Sequence, residues 1–129
     1  MLTPADNAFL EGLGQTITVT EEDGWTLLVV HRWVLPLGYA PASSDLMLRI
    51  APGYPDMPLD MWYFGPDVTR ADGQPIPNTE AHETFGGQVW QRWSRHLAPG
   101  EWTPGVDGLE GYFARIRADL RLWVAGAAA

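Results

Sequence analysis

Apolar and polar residues alternate in four stretches of the first half of the chain. Thr16-Ile17-Thr18-Val19-Thr20 has the period of two expected of a half-buried strand. Asp23-Gly24 is a hairpin signal. A second strand runs from Trp25 to Val34, with Trp25, Leu27, Val29, His31 and Trp33 on one face and Leu28 and Val30 on the other. Apolar residues on both faces predict a central strand covered on both sides. The stretch from Leu35 to Ser44 contains Pro36, Gly38 and Pro41 and reads as a connection. Asp45 to Ile50 alternates again, with Leu46, Leu48 and Ile50 inward. Pro52-Gly53-Tyr54-Pro55 forces a turn, and Met61-Trp62-Tyr63-Phe64 is a short fourth strand. These parts predict a four-strand antiparallel meander. A helix from Pro4 to Leu13 precedes it, with Thr3 as N-cap and Gly12 or Gly14 at its end.

Beyond Gly65-Pro66 the periodicity disappears for some forty residues, up to Asp107. Within that stretch Trp90 and Trp93 are three apart, as are Arg92 and Arg95, which reads as one turn of helix burying its Trp face. The mixed Trp/Arg composition also suits a partner-contact surface. The last element has the clearest pattern. Leu109, Phe113, Ile116, Leu120 and Trp123 fall on one helical stripe, and Asp107-Gly-Leu-Glu110 fits a capping box. A helix from about Asp107 to Val124 laid across the meander makes an α+β layer architecture. Residues 1–124 read as one domain, and the closing Ala-Gly-Ala-Ala-Ala, 125–129, as a frayed tail.

Composition narrows the class. The 129 residues are 46% hydrophobic and 19% charged, a globular balance. A net charge of −8 argues against nucleic-acid binding, which needs clustered cations, and suits a protein partner. There is no 18-residue apolar run and no signal-peptide pattern, so the expected location is the cytoplasm, away from membranes. With zero Cys, thiol nucleophiles and thiolate metal sites are excluded.

The order of parts resembles ubiquitin-conjugating (E2) enzymes: a meander, Tyr54-Pro55-Asp56-Met57-Pro58, a short strand, a long irregular segment, Trp102-Thr103-Pro104 and a helix. More specifically, Leu35 to Tyr39, Arg49, Gly53-Tyr54-Pro55, Asp60-Met61-Trp62 and Trp90 to His96 are similar to prokaryotic E2 family E. The resemblance implies a UBC-like fold. It also implies an E1-like activating enzyme, a ubiquitin-like protein and a JAB-type peptidase as pathway partners, and no cofactor.

Counting back eight residues from Trp102, where eukaryotic E2 enzymes carry the catalytic Cys, gives Ser94. The family pattern implies a His shortly after the nucleophile, and His96 fits. A serine hydroxyl needs a base, and His96 suits that role if the segment is extended so that positions i and i+2 share a face. Ser94 should then be exposed at the mouth of a groove, with His96 within hydrogen-bond reach of it or able to come there by a rotamer change. The His-Pro-Asn of eukaryotic E2 enzymes has no match; Gln88, His82 and Asn78 are candidates for its role. Backbone amides at Gly86-Gly87 are candidates for oxyanion stabilisation. His82, Glu83 and His96 do not have zinc spacing, so no metal is expected. His31 reads as a satisfied core histidine, and Asp60 as one of several solvated acids. Two functional readings stand: an E2-like transferase carrying its modifier as a serine oxyester, and a catalytically inactive E2-variant binding module.

Overall fold

The computed structural model describes residues 1–124; the expected tail at 125–129 lies outside them. Helix α1 (Pro4–Gly12) begins at Thr3, whose hydroxyl accepts from the Asp6 N–H while the Asp6 carboxylate accepts from the Thr3 N–H. This reciprocal capping box fixes the start of the helix. The strands that follow are β1 (Ile17–Glu22), β2 (Trp25–Val34), β3 (Tyr39–Ala40), β4 (Ser43–Ile50) and β5 (Trp62–Gly65). Then come β6 (Thr69–Arg70), β7 (His82–Phe85), β8 (Gln88–Trp93) and the closing helix α2 (Leu109–Leu122). Among the described residues, no helix is long and apolar enough to cross a membrane.

The architecture is α+β, but the main sheet has six strands where four were expected. Its order is β1-β2-β4-β5-β8-β7, every pairing antiparallel, and β3 pairs with β6 in a separate two-stranded sheet. The additional pair comes from the stretch that looked aperiodic. Its hairpin turns on Gly86 and Gly87, with φ of 58° and 77°. Two successive positive φ values suit a two-residue turn that matches the twist of its strands, and glycine adopts them without steric cost.

The expected helical turn at Trp90–Trp93 is therefore a strand. In a strand, residues three apart face opposite ways. Trp93 enters the main core with Trp62 and Phe64, while Trp90 joins Leu27, Met47 and Tyr63 in a smaller cluster on the other face. That second cluster explains why β2 is apolar on both sides. One face of β2 changes midway: a bulge between Val30 and Trp33, with Arg32 at φ 53°, turns Trp33 into the main core beside Leu28 and Val30. An extra residue in one strand re-aims every side chain beyond it. Asp45 braces the bulge, accepting from the Arg32 N–H at 2.9 Å and facing His31 Nδ1 at 3.1 Å. His31 also bonds Thr18 and remains a third exposed, so it is satisfied but not a core residue.

The sheet curls until its outer hairpins meet, where the Gly86 N–H donates to Glu22 at 2.9 Å. Helix α2 crosses the main-core face, burying Leu109, Phe113, Ile116 and Leu120 as the stripe predicts. Its cap differs from expectation. Gly108 is the N-cap, and the Asp107 carboxylate accepts from Thr103 instead. The Leu109 N–H donates to Asp6 Oδ1 at 3.0 Å, so a residue of α1 caps α2. Asp6 Oδ2 also accepts from the Tyr54 hydroxyl at 2.7 Å. Burial pushes the Asp6 carboxyl up, but the hydrogen bonds from Leu109, Tyr54 and Thr3 outweigh it and hold the group below its ordinary value. The Trp102 indole donates to the Pro55 carbonyl at 2.8 Å, so the Tyr-Pro turn and the Trp-x-Pro segment sit together.

Candidate functional site

Beyond Trp93 the chain leaves the sheet between two left-handed residues. The Ser94 N–H donates to the Asn78 carbonyl at 3.0 Å, and the Arg95 carbonyl accepts from Met61 at 3.2 Å. Asn78 and Met61 both have φ of 58°. Non-glycine residues are held in that region only when their surroundings over-determine them. Here the Tyr112 hydroxyl of α2 donates to the Met61 carbonyl at 2.9 Å, and Arg95 ties the segment to Asp119 at 3.1 Å and to the Pro77 carbonyl at 2.8 Å.

Ser94 is half-buried, less open than expected. It lines a groove of about 520 Å³ with Trp62, Arg95, His96, Asp119 and Leu122. Its hydroxyl accepts from Arg92 Nε at 2.9 Å, and the same guanidinium reaches Glu83 at 3.4 Å. His96 shares the groove but is not the hydrogen-bond partner of Ser94. The expected i, i+2 meeting fails because the strand has ended: the Arg95 N–H bonds back to the Trp93 carbonyl at 3.0 Å, which turns the chain at Ser94. The His96 side chain, 65% exposed, places Nδ1 3.0 Å from Asp60 Oδ1. A carboxylate at Nδ1 favours the tautomer with the proton on that nitrogen, which leaves Nε2 as the acceptor.

The other candidates stand elsewhere. Gln88 opens β8 and lies against Gly65. It lies six strand steps from Ser94, about 20 Å at strand rise. Gly86 and Gly87 are at that same remote end, and the Gly86 amide already serves Glu22. His82 pairs with Asp67 at 2.6 Å and lines a separate groove with Gln91. Of the residues considered for the His-Pro-Asn role, Asn78 touches Ser94, through its backbone carbonyl. His82, Glu83 and His96 are not brought together: Glu83 accepts from Tyr63 while each histidine faces its own aspartate. Among the described residues no cluster of three metal-ligating side chains occurs.

Sequence reasoning missed Asp60, Arg92 and Trp62. Asp60 stood in the Asp60-Met61-Trp62 run but was counted with the solvated acids. Arg92 had a readable signal, because it shares a strand face with position 94. The Trp62 indole N–H is buried in the groove wall with no partner among the described residues. An aspartate alone does not mark His96, since His31 and His82 also hold one. His96 is distinguished by sharing a groove with a serine and by having no hydrogen-bond partner at Nε2 among the described residues.

Comparison with curated proteins and with solved structures gave no match. The model of prokaryotic E2 family E matches residues 2–122. That span runs from α1 to the end of α2 and takes in the Tyr-Pro turn, the Ser94 segment and the Trp-x-Pro segment; the chain belongs to prokaryotic E2 family E.

Proposed function

We propose that this E2-like protein carries the C-terminal acyl group of a ubiquitin-like modifier on the Ser94 oxygen. It would take the group from an E1-like enzyme and pass it to an amine, while a JAB-type peptidase acts on the same modifier. The observation that carries the reading is the shared groove. Ser94 and His96 both line it, with Asp60 behind the imidazole and Arg92 on the hydroxyl. In the transfer, Ser94 Oγ attacks the activated carbonyl and His96 Nε2 takes the hydroxyl proton. The bond from the carbonyl carbon to the activating group breaks, and that group leaves with the proton. The Arg92 guanidinium favours the developing alkoxide. His96 reaches Ser94 by rotation of its exposed side chain, and apo catalytic hydrogen bonds are often loose. The exposed Asp60 carboxylate follows Nδ1 in that rotation and keeps the tautomer that this requires, as the carboxylate does in a serine triad.

With E1-like enzyme, ATP and modifier present, the wild type should form an adduct that survives thiol reductant and is cleaved by alkali. Ser94→Ala should abolish it, and Ser94→Cys should give an adduct that reductant removes. His96→Ala should slow its formation by about 10²–10⁴-fold, the usual worth of a general base. Conjugation by Ser94→Ala at the wild-type rate would remove the assignment.

One observation favours a second reading, a binding module without chemistry: Arg92, not His96, engages the Ser94 hydroxyl. On that reading Ser94→Ala binds the E1-like protein and modifier as wild type does, and no alkali-labile adduct forms with either protein.

A further inference from the structure

Next to the Ser94 groove lies a second cavity of about 440 Å³, and His96 lines both. Its walls are mostly apolar, from Ala51, Met57, Pro58, Leu59 and Met61. Arg49 of β4 also lines it. The guanidinium carbon of Arg49 sits 4.2 Å from the centre of the Trp25 ring and 4.4 Å from that of Phe85, rings carried by opposite ends of the curled sheet.

Arg70, Arg92, Arg95 and Arg115 each hold a carboxylate. Arg49, like Arg32, Arg117 and Arg121, holds none among the described residues, in a chain carrying eight more acidic than basic charges. Its Nε is buried with no hydrogen-bond partner. A buried donor without an acceptor is destabilising, and a charged one more so. Stacking engages the flat face of a guanidinium and leaves the N–H groups of its edge in the fork that matches a carboxylate. Of the other polar side chains of the cavity, the Tyr63 hydroxyl donates to Glu83, and Asp60 faces His96 Nδ1.

We propose that this cavity binds a carboxylate carried on an apolar, extended peptide, with Arg49 as the group that recognises it. Sheet order places it relative to Ser94. β4, which carries Arg49, and β8, which leads to Ser94, flank β5 on either side, and His96 lines both the cavity and the Ser94 groove. Two strand spacings are about 10 Å, the length of about three extended residues. A peptide whose last residue reaches Ser94 therefore presents the side chain about three residues upstream of it to Arg49. The identification of this peptide with the modifier's tail rests on the proposed function; the carboxylate site does not.

The test uses the full chain and four N-terminally labelled pentapeptides, followed by fluorescence anisotropy. They are Leu-Val-Leu-Gly-Gly as free acid and as amide, and the amides of Leu-Glu-Leu-Gly-Gly and Leu-Gln-Leu-Gly-Gly. A carboxylate on the guanidinium should tighten binding about tenfold or more over the matched uncharged peptide. A gain with the free acid assigns the terminal carboxylate, and a gain with the glutamate peptide assigns an acidic side chain. Arg49→Met, which keeps the apolar stem, should erase the gain and leave the affinity for the uncharged amides within about twofold. Equal affinity of the wild type for charged and uncharged peptides, or no binding of any of the four, overturns the proposal without recourse to a variant. The assay forms no ester, so its failure leaves the Ser94 reading untouched, and failure of the Ser94 chemistry leaves the assay standing.

Discussion

Removing the Asp6 carboxylate should be among the most destabilising single changes outside the aromatic core. Its two oxygens serve the Thr3 and Leu109 N–H groups and the Tyr54 hydroxyl, and the residue is 3% exposed. Each helix cap is worth about 1 kcal/mol. The hydrogen bond from Tyr54 to a charged acceptor adds about 1.5–3 kcal/mol. Asp6→Ala should therefore cost about 3–5 kcal/mol, a large share of the 5–15 kcal/mol typical of a domain. In a chain of this length that is a fall in Tm of roughly 10–20 °C. Urea titration followed by tryptophan fluorescence measures it. Asp6→Asn should cost less, because the amide oxygen can still accept from Leu109. The pH dependence has a definite sign. The folded carboxyl lies below its ordinary value, so its contribution is complete above the unfolded pKa of about 3.9 and is lost as pH falls through the lower folded one. The stability difference between wild type and Asp6→Asn should be flat above about pH 5 and shrink below about pH 4. A loss under about 1 kcal/mol for Asp6→Ala would refute the double-cap account.

Further outcomes are expected from the same fold. Phe113 is fully buried, with Phe9 and Trp33 edge-on at 5.2 Å and 5.4 Å, so Phe113→Ala should cost about 3–5 kcal/mol in the same titration. A Cβ at Gly108 would stand 2.9 Å from Asp6 Oδ1, so Gly108→Ala should displace that cap and cost about 1–2 kcal/mol, with little additional loss in an Asp6→Ala background. Asp60→Asn should slow Ser94 adduct formation through the imidazole while leaving Tm within about 2 °C, because the pair is exposed.

In the first half of the fold β1 and β4 were legible from alternation, while β2 and β5, covered on both faces, were legible as short apolar runs bounded by the turn signals Asp23-Gly24, Pro52 to Pro55 and Gly65-Pro66. The stripe on α2 was legible, like β1 and β4, from its period. The β7–β8 hairpin was not, since β8 buries Trp90 on one face and Trp93 on the other, and a strand buried on both faces loses its period. Gly86-Gly87 was the remaining signal, and it was weighed as a source of backbone amides rather than as a turn. The cap of α2 was hidden because its acceptor comes from α1; local sequence points to Asp107, whose carboxylate is spent on Thr103. At the candidate site, position alone indicated Ser94 and His96. Asp60 lies 36 residues from His96, a separation no local pattern spans.

The Asp6–Leu109 bond joins residues 103 apart, so it closes a loop of most of the chain. Contacts of that separation form only after the intervening sheet has shortened the path between their ends, because closing so long a loop earlier costs conformational entropy without return. The carboxylate is thus a clasp fastened late in folding. Weakening it should leave the folding rate nearly unchanged and raise the unfolding rate by the full equilibrium loss. Through this long-range bond the side chain acts on the persistence of the native state rather than on the speed of reaching it.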